Sequence, residues 1–188
     1  MMIPRIYFTG VLEPEATVEL DSDASQHLIQ VLRLQTGARL HLFNGKGYEC
    51  PAQIISTSNK HVTCTIVDKR LVSRESPLRI RLAQALLRGD RMDYVIQKAT
   101  ELGVSELIPV MTTHTKVKLS AGRADKRLQH WQNIVIAACE QSGRNTLPVI
   151  RQPVELENLA LHTKGTKWLF TPEGKQRLAD CQFHNNTM

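Results

Sequence analysis

The chain has 188 residues, 41% hydrophobic and 22% charged, which is material for a packed core and excludes a disordered tail. A formal net charge of +6 and a sequence pI near 9.3 point to a polyanionic partner. Aromatic residues make up only 5%, so a nucleic acid would be held by charge and hydrogen bonds and not by stacked bases.

Ile6-Tyr7-Phe8 is a β-prone run, and Ala16 to Leu20 alternates weakly. Asp21-Ser22-Asp23 supplies N-cap chemistry, and Ala24, Leu28, Val31 and Leu32 follow at helical spacing. That predicts an amphipathic helix over about 23–33. Gly37 breaks the chain. Arg39 to Asn44 alternates, with Leu40 and Leu42 on one face and Arg39, His41 and Phe43 on the other. Asn44-Gly45-Lys46-Gly47 is a hairpin signal, because Asn and Gly tolerate the positive φ of such turns. Tyr48 to Thr57 and His61 to Asp68 are two further β-rich runs. Short strands at this spacing predict a small β-barrel over residues 1–72.

Arg70 to Pro77 is polar, charged and interrupted by proline, and reads as a linker. The pattern then changes. Leu78 to Leu86 is a strand. Asp90 caps a helix with an apolar stripe of Met92, Val95, Ile96, Ala99 and Leu102, and Gly103 suits the position after it. Leu107 to Met111 is a strand. Asp125 caps a helix that presents Leu128, Trp131, Val135, Ala138 and Ser142 on one face and ends at Gly143. Leu147 to Ile150 is a short strand, Val154 to Leu161 a helix and Lys167 to Phe170 a fourth strand. Such alternation predicts an α/β domain with parallel strands over residues 73–188.

Several chemistries lose support. There is no GxGxxG after a strand, no P-loop, no HExxH and no GxSxG. The cysteines at 50, 64, 139 and 181 form no CxxC pair and no zinc-ligand spacing with histidine. The start Met1-Met2-Ile3-Pro4-Arg5 has no apolar signal core, and no stretch approaches the roughly 18 apolar residues of a membrane span. A cytoplasmic protein with reduced thiols, no metal and no membrane contact is expected.

The polar clusters carry what chemistry there is. Arg88-Gly89-Asp90-Arg91 lies between strand and helix, where open α/β sheets bind ligands, so Arg88 is placed to meet a phosphate. Lys98 and Glu101 form an i,i+3 pair off the apolar stripe. Glu140 and Arg144 stand one turn apart and are expected to pair across the helix end, with Arg144 and Asn145 at the rim for a bidentate phosphate grip. Arg5, His27, Arg33 and Lys46 are candidate RNA contacts on the first domain. The polar segment Thr112 to Gly122, with Lys116 and Lys118, is long enough to be functional. Trp168-Leu169-Phe170-Thr171-Pro172-Glu173-Gly174 runs an apolar strand into a turn whose backbone can cradle an adenine or an amino-acid moiety.

Together these blocks resemble the ribosomal RNA small subunit methyltransferase E family. The match runs through Pro4-Arg5-Ile6-Tyr7, His27-Leu28 with Val31-Leu32-Arg33, and Leu42-Phe43-Asn44-Gly45. It continues through Arg74-Glu75-Ser76-Pro77-Leu78, Arg88-Gly89-Asp90-Arg91-Met92, and Ile96-Gln97-Lys98 with Glu101-Leu102-Gly103. Trp131 and Ala137-Ala138-Cys139-Glu140-Gln141-Ser142-Gly143-Arg144-Asn145 complete it.

The resemblance implies a PUA-like RNA-binding β-barrel, a SPOUT domain whose trefoil knot binds S-adenosylmethionine, and a homodimer. The implied reaction methylates ring nitrogen 3 of a uridine in the 16S rRNA of the small ribosomal subunit. Glu140 and Arg144 are then the catalytic candidates, Leu169, Phe170, Thr171, Pro172, Glu173 and Gly174 the first cofactor contact. Arg5, His27, Arg33, Lys46, Arg88, Lys98 and Asn145 are the RNA contacts. Family members continue with a Gly-Pro-Glu-Gly-Gly loop and a Leu-Arg-x-Glu-Thr-Ala segment, so an incomplete knot region and a truncated member are expected. A non-catalytic RNA-binding or ribosome-assembly factor, and a small-molecule enzyme with an accessory barrel, are the alternatives.

Overall fold

The computed structural model describes residues 3–58, 61–113, 121–161, 166–171, 173, 174, 177 and 180. Its first unit holds β1 (Arg5–Tyr7), β2 (Thr17–Glu19), β3 (Arg39–Phe43), β4 (Tyr48–Thr57), β5 (Val62–Ile66) and β6 (Arg70–Leu71). These make one sheet in the order β1-β3-β4-β5-β2, with β6 beside β4. The β1–β3 pair is parallel and the others are antiparallel. No pairing of β1 with β2 closes the sheet into a hydrogen-bonded ring among the described residues. Alternation sends Leu40, Leu42, Cys50, Ala52, Ile54, Val62, Cys64 and Ile66 to one face, and all are buried in the first core. Burying each of the larger aliphatic side chains contributes about 1.5–3 kcal/mol.

The predicted first helix is two kinds of helix. α1 (Ser22–Gln26) begins at Asp21, whose carboxylate accepts the Ala24 N–H at 2.8 Å. It passes directly into a π-helical turn, His27–Val31, closed by the Leu32 N–H donating to the His27 carbonyl at 3.0 Å. The wider turn changes the angular spacing of side chains. Leu28 stays fully buried, while Val31 and Leu32, expected on the buried stripe, are 66% and 37% exposed.

The linker is not free. Residues 70–77 open with β6, and Arg74 and Glu75 both form ion pairs with the body of the protein.

The second unit is a parallel sheet with helices. β7 (Arg81–Ala85), α2 (Asp90–Glu101) and β8 (Glu106–Met111) make a βαβ unit, followed by α3 (Ala121–Ser142), β9 (Val149–Ile150), β10 (Val154–Glu155) and α4 (Leu156–Leu161). β7 pairs with residues 106–110 along one edge of β8, so β9 and β10 share the other edge. The helix cap before α2 is Gly89, not Asp90, because φ 51° and ψ −138° suit a residue without Cβ. Asp90 and Asp93 occupy the first turn, where their charge suits the helix dipole.

Other expectations shift as well. α3 begins at Ala121, so Asp125 lies inside it. Leu102 is 81% exposed because α2 has ended at Glu101. Residues 154–155 pair with β8 before α4 starts. The expected strand at Lys167 to Phe170 is irregular, and none of the described strands pairs with it. Without a sheet to cover them, Leu169 and Phe170 are 89% and 76% exposed.

The second core gathers Leu86, Met92, Ile96, Ala99, Leu107, Trp131, Val135 and Cys139. Phe43 of β3 is fully buried in it, and Tyr7 of β1 packs against it. Alternation put Phe43 on the face opposite Leu40 and Leu42, and that face is the contact between the two units.

Candidate functional site

α3 ends against the first unit, and four of the predicted site residues, Arg5, Glu140, Arg144 and Asn145, converge there. The Arg144 guanidinium is almost wholly buried. Its Nε and Nη2 grip both oxygens of Glu75, with Nε at 3.1 Å from Oε1. Its Nη1 donates to the Thr100 and Val104 carbonyls at 2.8 and 3.0 Å, at the end of α2. All three nitrogens are therefore engaged inside the protein. The expected Glu140–Arg144 pair does not form, because Glu75 from the linker takes that place.

Glu140 faces the first unit instead. Its Oε1 accepts the Tyr7 N–H at 2.9 Å, an edge donor of β1 that β3 does not use. Burial pushes the Glu140 carboxyl above its ordinary value, and the Tyr7 N–H with the charges of His27 and Arg5 only partly offsets this.

Arg5 and Asn145, expected on RNA, are turned inward. Arg5 Nη2 donates to Asn145 Oδ1 at 2.6 Å and to the Arg144 carbonyl at 3.2 Å, while Nη1 pairs with Glu49. The Arg5 guanidinium also stacks 5.0 Å from the Phe43 ring centre. Asn145 Nδ2 donates to the Val72 carbonyl at 2.9 Å.

Glu49 accepts a second guanidinium, from Arg74, at 2.9 Å. Burial raises the Glu49 carboxyl, but hydrogen bonds from Arg74 and Arg5 and their charges outweigh it and hold it below its ordinary value. His41, 3.6 Å away, is held below its ordinary value by burial, against the pull of Glu49 and with the push of Arg5, Arg74 and Arg70.

His27, Arg33, Lys46 and Arg88 are exposed. Arg33 follows the π-helical turn at φ 53°, a left-handed backbone that only a few per cent of non-glycine residues adopt. Lys98 pairs with Glu101 at 2.8 Å and leans over the Tyr94 ring. A groove of about 430 Å³ lies between α2 and α3, lined by Asp93, Tyr94 and Gln97 and by His130, Ile134 and Gln141.

Of the expected cofactor contact, Leu169, Phe170, Thr171, Glu173 and Gly174 are described, while Pro172 lies outside the described residues, as do Lys116 and Lys118. Gly174 N–H donates to the Thr171 carbonyl at 3.0 Å, closing a turn, and a Cβ on Gly174 would meet that same oxygen. The apolar side chains of Leu169 and Phe170 stand exposed beside this turn.

Sequence reasoning missed Glu49, Arg74 and Glu75. A carboxylate facing Phe43 across the β3–β4 ladder, next to buried Cys50, was the available signal for Glu49. Arg74 and Glu75 looked like ordinary linker charges.

A model of an RNA methyltransferase domain matches residues 74–187, and one of an RNA methyltransferase PUA domain matches residues 20–67. The ribosomal RNA small subunit methyltransferase E of Buchnera aphidicola from Schizaphis graminum is 31% identical over 172 residues, 90% of this chain and 70% of that protein. The chain belongs to the ribosomal RNA small subunit methyltransferase E family. The Bacillus subtilis member is 31% identical over 73% of the chain, which spans 54% of that relative's length. A protein of Legionella pneumophila, solved with bound S-adenosylmethionine as cofactor, superposes at TM-score 0.92 with 39% identity, over 97% of this chain and 76% of its own. The Neisseria gonorrhoeae family member bound to S-adenosylmethionine superposes at 0.89 with 36% identity, over 96% and 75%.

Proposed function

We propose that this chain takes part in S-adenosylmethionine-dependent methylation of ring nitrogen 3 of a uridine in 16S rRNA. Residues 1–72 are the RNA-binding module and residues 73–188 the methyltransferase module. The observation that carries this reading is the likeness over 96% of the chain to a family member holding that cofactor. A homodimer working in the cytoplasm on the small ribosomal subunit completes the proposal. Among the described residues no helix is long and apolar enough to cross a membrane.

When bound, S-adenosylmethionine supplies an electrophilic methyl carried on a sulfonium. Leu169, Phe170 and the Thr171–Gly174 turn provide part of its wall. The exposed cations Arg33, Lys46 and Arg88, with His27, hold the rRNA backbone, Lys98 adding to them where it is released from Glu101. The target uracil leaves its stack to reach the site. Glu140, whose carboxyl burial has made more basic, would accept the proton that the ring nitrogen loses as the methyl leaves the sulfonium, which becomes a neutral thioether, for that nitrogen. Arg144 supports this by fixing the end of α3, since its own nitrogens are occupied.

Incubation with unmethylated small subunits and labelled S-adenosylmethionine, followed by mass spectrometry of the digested nucleosides, tests the reading. Label on N3-methyluridine is expected. Label on another base, or none on RNA, overturns it.

A further inference from the structure

The first unit and the linker together bond the segment that follows α3. Helix C-termini leave carbonyls without intrahelical partners. Past the end of α3, the Gly143 carbonyl accepts from Arg74 Nη1 at 3.0 Å and the Arg144 carbonyl from Arg5 Nη2 at 3.2 Å. The Asn145 carbonyl accepts the Gly47 N–H at 2.9 Å, and Leu147 N–H returns to the Gly45 carbonyl at 3.2 Å. Lys46 and Thr146 thereby form an antiparallel bridge. Both cations also converge on Glu49, so one buried carboxylate orients the two guanidiniums that reach α3.

We infer that this Arg5–Glu49–Arg74 cluster is a positioning device that sets the orientation of the RNA-gripping unit relative to the transfer site. Three features support a joint rather than a surface ion pair. Glu49 is buried, its side chain only 10% exposed. Each arginine bonds both Glu49 and a carbonyl past α3, so neither can rotate without breaking a second contact. Phe43 and Gly45 leave no slack, since a Cβ on Gly45 would come within 2.8 Å of Leu147. These are positioning residues: they act through α3, which carries Glu140, and through β1, whose Tyr7 N–H Glu140 holds. The catalytic consequence rests on the methyltransferase reading above.

The test uses the full chain with Cys181→Ser, spin-labelled through Thr17→Cys and Gln132→Cys, both exposed positions on opposite units. Buried Cys50, Cys64 and Cys139 are poor labelling sites, the thiols of Cys64 and Cys139 being pushed by burial to about 11. Electron–electron distance measurement should give one narrow distribution. Arg74→Ala should widen it at least twofold without unfolding the chain, since Arg74 is 44% exposed. Arg74→Lys, which keeps the charge but not the two-armed grip, should fall between. Glu49→Gln should widen it most. On small subunits, Arg74→Ala should lower kcat at least tenfold while leaving the dissociation constant for S-adenosylmethionine unchanged. An unchanged width in Arg74→Ala and Glu49→Gln overturns the inference, and so does a widened distribution with unaltered kcat. If the unsubstituted chain transfers no methyl group, the functional reading fails, and the distance distributions still decide the joint.

Discussion

Glu75 lies in the linker and Arg144 just past α3, 69 residues apart, yet both oxygens of one receive two nitrogens of the other. The remaining nitrogen of Arg144 caps the end of α2 through the Thr100 and Val104 carbonyls. One side chain thus ties the linker to two helix ends.

Arg144→Ala should therefore act on stability. It strands a partly buried carboxylate and two carbonyls, and breaking such a pair from one side costs about 3–5 kcal/mol. Arg144→Lys keeps the charge but loses the fork, and should recover less than half. Urea unfolding followed by circular dichroism reads both. A cost below about 1 kcal/mol for the alanine variant contradicts the assignment.

The π-helical turn gives a contrast between neighbouring apolar residues. Leu28→Ala should cost about 2–5 kcal/mol, as removal of a fully buried leucine does. Val31→Ser should stay within about 0.5 kcal/mol, because Val31 already faces solvent. A regular helix through residue 33 would make both costly, so thermal melts of the pair discriminate between the two geometries.

Acid should loosen the joint. Glu49 is held below its ordinary value, so its contribution is fully present above the unfolded-state value and is lost as pH falls through the folded one. Glu140 has the opposite sign. Its raised carboxyl favours folding when protonated, and that contribution disappears as pH rises through the folded value. Glu49→Gln should flatten the acid limb of a stability–pH curve measured in urea, and Glu140→Gln should leave that limb in place. Glu140→Gln still accepts the Tyr7 N–H, so a loss of methyl transfer in that variant reports on the proton and not on the fold.

Arg33, Lys46 and Arg88 should weaken binding to a 16S rRNA fragment when each is replaced by alanine. Each removed phosphate contact should reduce the salt slope of log K by about 1. Asn145→Ala should instead lower the melting temperature, because its amide joins Arg5 to Val72 inside the protein. An unchanged salt slope in all three basic variants removes these residues from the interface.

The sequence pattern revealed most strands and the α/β alternation because period-two and helical spacing are local properties. Tyr48 to Thr57 was legible to the residue, its ends marked by Gly47 and a polar run. The π-helical turn was not, since a change of helix type leaves the same apolar residues in place and alters only their angle. Lys167 to Phe170 carries strand-forming residues, but a strand also needs a neighbour, which no local pattern records. Among the site residues, Arg5, Glu140, Arg144 and Asn145 do gather in one place. Their inward orientation was hidden because it depends on Glu49, Arg74 and Glu75, distant partners whose pairing appears only after the units meet.

Phe43 has a bearing on how the molecule is made. It leaves the ribosome well before α2 and α3, so the ring on which those helices close is already displayed when they emerge. Expressing residues 73–188 alone would remove that ring from the second core, inviting aggregation of the isolated half.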